Sequence, residues 1–233
     1  MCFLSVRSFA AESALDYNNA VSEAKEAGFE WKCDDAISHI RQDSHNALKK
    51  ETSGEHPREL NMREVRDLSH YREMIHRLRP TKLVAQGCKN QNVDVLKGLT
   101  GLQYLQLFGC TALQNVDGLK GLTTLQELHL PCCTALQNVD GLKGLAGLQT
   151  LGLYFCTALQ NVDGLKGLTG LQKLYLSSCP ALQNVDGLKG LTGLRVLYLD
   201  GCYKIPAAAL RELRAALPKT DIIFPDGTNN PPQ

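Results

Sequence analysis

The sequence predicts an α/β solenoid, a stack of short strands and tight turns with no single central core. Three observations lead there. The stretch Cys110 to Cys132, CTALQNVDGLKGLTTLQELHLPC, returns almost unchanged from Cys133, Cys156 and Cys179 at a period of 23 residues. A fifth Cys-headed unit opens at Cys202 and a degenerate copy at Cys88. Fixed periods of this length mark architectures in which each unit packs only on its neighbours.

Within a unit the apolar residues keep two rhythms. Leu125, Leu128 and Leu130 carry a strand-like alternation, followed by Cys133. Leu136, Val139, Leu142 and Leu145 then recur at every third residue, the spacing of a 3₁₀-like or short helical turn. Strand, turn, short helical return and strand make one coil of a right-handed superhelix. The pattern LxxLxLxxC followed by xxLxxVxxLxxL resembles the leucine-rich repeat, in the variant with Cys where many members carry Asn. The resemblance covers residues 80 to 224. It implies a concave parallel β-sheet, short 3₁₀ or helical turns on the convex side, and a role in binding other proteins.

At 233 residues the chain has room for one elongated domain and a smaller appendage. A net charge of +1 gives no strong field toward nucleic acid or an anionic membrane. The longest apolar runs fall short of a membrane span. The start, MCFLSVRSFAAES, holds an apolar run of only four residues before Ser5 and Arg7, too short for a signal-peptide core. A cytoplasmic address and a monomer are expected. A bacterial effector secreted without a cleaved signal would have the same features.

Residues 1–79 lack the repeat and read as a helical region that caps the array. Helices are expected over Ala11 to Ala27, from Asp34 or Asp35 through Leu48, and from Asn61 to Leu78, with a loop at Glu51 to Pro57. In the third, Val65, Leu68, Met74, Ile75 and Leu78 align before Pro80 ends it. The array itself spans residues 80–202. Thr81 to Gly87 fits the strand slot, and the coil after Cys88 is expected to be distorted, because one residue is missing and Val95 stands where later copies have Gly. A cap over 203–225 follows, with Leu210, Leu213 and Leu217 on one helical face and Ile222 to Phe224 as a last strand. Residues 226–233 read as a disordered tail.

Stacked coils would place Cys110, Cys133, Cys156, Cys179 and Cys202 about 4.8 Å apart. A disulfide or metal row is geometrically conceivable, but the repeat itself dictates this spacing and no His accompanies it. Reduced thiols filling a buried corner are expected. Cys132, off the ladder, is expected to be the most accessible thiol. Asp117, Asp140, Asp163 and Asp186 are expected to cap the turns that follow, and the lysines three residues later to form a solvated stripe. A calcium ladder lacks its glycine pattern and a second carboxylate. No cofactor or metal site and no catalytic constellation is read, so an enzyme is not expected. The five histidines of residues 39 to 76 are scattered.

Differences between copies carry the functional reading. Thirteen-residue segments such as Thr111–Thr123 and Thr134–Ala146 are nearly identical, while the positions beside the strand leucines change in almost every copy. In the geometry that the resemblance implies, these side chains face the concave surface. The candidate partner-binding residues are Tyr104, Gln106, Phe108, Glu127, His129, Tyr154, Lys173, Tyr175, Tyr198 and Asp200. Tyr and His on a rigid sheet provide contact area at low entropic cost. The leading reading is a protein–protein interaction scaffold. The alternatives are a glycan or small ligand stacked on the tyrosines, and an adaptor whose N-terminal helices dock a second protein.

Overall fold

The computed structural model describes residues 59–62 and 65–231. The chain divides into two compact units, Met1–His39 and Ile40–Gln233, and every described residue belongs to the second. The helices expected before Leu48 and the loop at residues 51–57 lie outside the described residues.

Among the described residues eight parallel strands form one sheet in strict chain order. They are β1 (Glu59–Met62), β2 (Lys82–Gln86), β3 (Tyr104–Phe108), β4 (Glu127–His129), β5 (Thr150–Gly152), β6 (Lys173–Tyr175), β7 (Val196–Tyr198) and β8 (Asp221–Ile223). Leu105 stands opposite Leu128, Leu128 opposite Leu151, Leu151 opposite Leu174 and Leu174 opposite Leu197. The sheet register is therefore the sequence period itself. Across the core from the strands run five 3₁₀ turns, Asp94–Leu96, Asp117–Leu119, Asp140–Leu142, Asp163–Leu165 and Asp186–Leu188. Leucines from both sides meet in one continuous core, with Leu125, Leu128, Leu130, Leu136, Leu142 and Leu145 all at 0% exposure.

The sheet begins earlier than the sequence predicts. Residues 59–62, expected inside the cap as the approach to and first turn of its third helix, form β1, paired with β2 through Leu60↔Leu83 and Met62↔Ala85. Leu60, Met62, Val65 and Leu68 repeat the offsets of Leu105, Leu107, Cys110 and Leu113, so Val65 takes the thiol's slot. The helical part is shorter: a 3₁₀ turn at Leu68–Tyr71 and helix α1, Arg72–Leu78, on the turn side of this first coil. Asp67 caps that turn by accepting from the Ser69 amide at 2.8 Å, and Asn90 of the next coil donates to the same carboxylate at 2.7 Å.

The coil after Cys88 keeps regular turn geometry. Lys97 ends its 3₁₀ turn at φ −53° and ψ 130°, against −52° and 129° for Lys120. Val95 is tolerated because α1, not another 3₁₀ turn, lies behind it. His76 Nε2 sits 2.8 Å from the Val95 carbonyl oxygen. In later coils a Cβ at the Val95 position would strike the preceding turn: at Gly141 it would overlap the Val116 carbonyl and lie 2.7 Å from the Asp117 nitrogen.

The turns are capped by asparagine rather than by the expected aspartates. Asn115 Oδ1 accepts from the Asp117 amide at 3.2 Å, and Asn138 from that of Asp140 at 3.1 Å. Asp117, Asp140 and Asp186 pair instead with the lysine three residues on, at 2.9 Å for Lys120–Asp117, 3.1 Å for Lys143–Asp140 and 2.7 Å for Lys189–Asp186.

The ladder thiols are buried and reduced. From Cys133 onward each finds a hydrogen-bond acceptor in the preceding coil. Cys156 Sγ donates to the Leu130 carbonyl at 3.2 Å, Cys179 to Leu153 at 3.1 Å and Cys202 to Leu176 at 3.0 Å. Burial pushes the Cys156 thiol up to about 12, so it stays protonated and able to donate. The corner is thus not purely apolar. Cys132 is the most exposed thiol among the described residues, as the sequence predicts, though still buried at 6%.

Cys132 shares a left-handed slot with Gly109, Phe155, Ser178 and Gly201, with φ of 58°, 62°, 57°, 58° and 77° respectively. A Cβ is disfavoured there by about 1 kcal/mol, partly offset by the chain entropy glycine brings to the unfolded state. Ser178→Gly should therefore raise stability by about 0.5 kcal/mol. A chemical denaturation midpoint that falls in this variant would show that the Ser178 backbone is not strained.

Helix α2 (Ala207–Ala216) buries Leu210 and Leu213 over the last coil, and Leu217 follows it into the core. Lys189 Nζ reaches Glu212 of α2 at 2.7 Å, and Thr220 donates to the Leu194 carbonyl at 2.8 Å. From Asp226, where the sequence predicts a disordered tail, the chain forms a turn in which the Phe224 amide donates to the Thr228 carbonyl at 2.7 Å. Among the described residues no helix is long and apolar enough to cross a membrane.

Candidate functional site

Along each strand the leucines turn inward and the alternate residues outward, so the outer sheet face is tiled by columns of equivalent positions. The column running Glu59, Lys82, Tyr104, Glu127, Thr150, Lys173, Val196 and Asp221 joins neighbours one coil apart. A second runs Asn61, Val84, Gln106, His129, Gly152, Tyr175, Tyr198 and Ile223 in the same register. Inward leucines in step with the period, 3₁₀ turns opposite each strand and a thiol ladder at the corner are now all in place. The chain is a leucine-rich-repeat solenoid.

No family model matches this solenoid and no curated protein matches it. Among solved structures it is similar to an internalin (inlF) from Listeria monocytogenes, 23% identical over 61% of this chain and 46% of that one, with a TM-score of 0.43. The chain thus spans less than half the length of that internalin. It is also similar to the leucine-rich repeat domain of the type III effector XopL, 17% identical over 97% of this chain and 98% of that one, with a TM-score of 0.42.

The outer face of the leucine-rich-repeat sheet is its concave side, and the candidate residues meet there. Tyr104 and His129 have ring centroids 5.6 Å apart, Tyr154 and Tyr175 5.2 Å, and Tyr175 and Tyr198 5.3 Å at an interplanar angle of 17°. Gly152 closes the gap in the row: a Cβ on it would lie 2.8 Å from His129 Nδ1 and 3.0 Å from a Tyr154 ring carbon. The result is a row of rings from five successive coils, in two packed groups, Tyr104–His129 and Tyr154–Tyr175–Tyr198, that flank Gly152.

Packing at this spacing buries some of the residues that alternation alone places in solvent. Tyr154 and Tyr175 are each only 3% exposed, so their removal costs packing as well as any contact they offer. Ser177, at 9%, donates to the Asp200 carboxylate, which ties that carboxylate to the sheet. Gln106 accepts from the Tyr104 hydroxyl at 2.8 Å. Phe108 is half-buried at the edge of the face.

The charges sit on the first column. Lys82 pairs with Glu59 at 3.1 Å and lies 5.1 Å from the Tyr104 ring centroid, contacts that sequence reasoning missed along with β1. Glu127 is 50% exposed, with His129 Nε2 at 3.6 Å. That imidazole, helped by Lys173 and Lys82, holds the Glu127 carboxyl below the usual range against the opposing effect of burial. Burial, reinforced by Glu127 and Glu59, pushes the Tyr104 phenol up to about 12. Lys173 is exposed, two coils from Glu127.

Elsewhere the constancy of the repeats has structural causes. The asparagines cap turns, Lys97, Lys120, Lys143 and Lys189 pair with aspartates, and the turn glycines make room for the coil behind. Gln114, Gln137, Gln160 and Gln183 are exposed and still do not vary, and against them the variation of the sheet face stands out.

Proposed function

We propose that the protein is a non-enzymatic interaction scaffold that takes a protein partner on its concave sheet face. The observation that supports this most is the row of packed rings, Tyr104 on His129 and Tyr154 on Tyr175 on Tyr198, bordered by the exposed charges of Glu127 and Lys173. Rigid aromatic surface with a charged rim is what recognition sites on proteins use. A stacked glycan fits less well. Tyr175 packs against Tyr154 from one neighbouring coil and Tyr198 from the other and is only 3% exposed, so it has no open face for a sugar ring.

The exposed charges test this without disturbing the core. Glu127→Lys and Lys173→Glu should each weaken affinity for a partner captured by the intact protein about tenfold, while melting temperature stays nearly constant. Lys120→Ala, Lys143→Ala and Lys166→Ala on the turn side should leave binding intact. Equal losses from both faces would place the site elsewhere.

A further inference from the structure

On the concave face we propose that the site takes a polyproline-II segment in which one basic and one acidic side chain stand three residues apart. This rests on the protein-binding reading above and names the partner's chemistry.

The argument starts from spacing. Glu127 and Lys173 occupy the same column two coils apart, with only Thr150 between them, which sets their backbones about 10 Å apart along the solenoid axis. The other cation of the column's first half is engaged, because Lys82 pairs with Glu59 and covers Tyr104. Among the described residues Lys173 has no carboxylate at ion-pair distance, and Glu127 is half exposed and ionised. One anion and one cation are therefore offered to a partner at a fixed separation.

A polyproline-II helix has three residues per turn and rises about 3.1 Å per residue, so positions i and i+3 share a face about 9 Å apart. That matches the two charges. An extended strand puts i and i+3 on opposite faces. An α-helix could reach with i and i+7, but its backbone carbonyls are already used, whereas those of polyproline II are free. Donors for them border the column: Gln126 and Gln149 present exposed amides, and Tyr198 is partly exposed beside the stripe. Proline rings, whose ordering cost is already low in a preformed helix, would lie against the partly exposed rings at the two ends of the row, Tyr104 and Tyr198, and not on the buried Tyr154 and Tyr175.

The test uses the intact protein and labelled nonapeptides built of Pro-Pro-Xaa triplets, with Arg and Glu three residues apart in both orders, titrated by fluorescence anisotropy. One order should bind at least tenfold more tightly than a peptide of the same composition with the charges two apart. Lys173→Glu should lose that binding, and a peptide with Arg replacing Glu should recover it on this variant. Insensitivity to spacing, better binding of a helical peptide with charges seven apart, or no binding of either order up to about 1 mM would overturn the inference. If it fails while Glu127→Lys still weakens the captured partner, the concave protein-binding reading survives without its polyproline-II chemistry. If neither result appears, both fall.

Discussion

Gly141→Ala should destabilise the protein by about 3 kcal/mol or more, although it adds a single methyl group. The new Cβ would overlap the Val116 carbonyl of the preceding turn and sit 2.7 Å from the Asp117 nitrogen, and both are backbone. Backbone cannot rotate aside as a side chain would. Relief requires the coils to part, which stretches the bond from the Gln137 amide to the Gln114 carbonyl and opens the leucine core between neighbouring turns. The control is Gly144→Ala, three residues away. Gly144 has φ +80° and nothing within 4 Å of an added Cβ, so its cost is conformational alone, about 1 kcal/mol. Urea unfolding of the two variants separates the effects. Equal losses would mean that coil spacing is soft, and that the glycine column is not fixed by contact with the turn behind.

Leu128→Ala should cost about 2–5 kcal/mol, since its fully buried side chain stands between Leu105 and Leu151 and leaves a cavity lined by two coils. Because stability in a solenoid is shared between nearest neighbours, the same change at Leu60 in the terminal strand β1 should cost less. Thermal melts followed by circular dichroism compare the two. A terminal variant as damaging as the central one would show that the sheet unfolds as one block rather than through pairwise contacts.

The repeat made most of the fold legible, because a period of 23 fixes both which residues face inward and which residues stand opposite each other in the sheet. β1 escaped because its four slot residues, Leu60, Met62, Val65 and Leu68, run into a true helical pattern at Ile75 and Leu78, and no Cys marks the corner. The turn caps were misassigned because Asn115 and Asp117 are two residues apart and both are good acceptors. Only geometry shows which one meets the backbone amide. Which residues share the outer face of the sheet was legible, since alternation decides the face of a side chain. Their burial was not, because it depends on rings from adjacent coils closing over one another, a lateral contact between residues 21 or 23 apart in sequence. Tyr154 and Tyr175 consequently support the face as much as they display it.

A stack of near-identical coils has no built-in length, and one molecule could in principle continue into the next as a filament. The outermost residues of the first column work against this. Among the described residues it opens with Glu59 on β1 and closes with Asp221 on β8, both exposed. If β8 of one copy met β1 of another in the register used throughout the sheet, Asp221 would stand opposite Glu59, and like charges directly opposite are unfavourable. Every internal junction of that column avoids such a pairing, so polymerisation would be penalised at the one junction that growth must repeat.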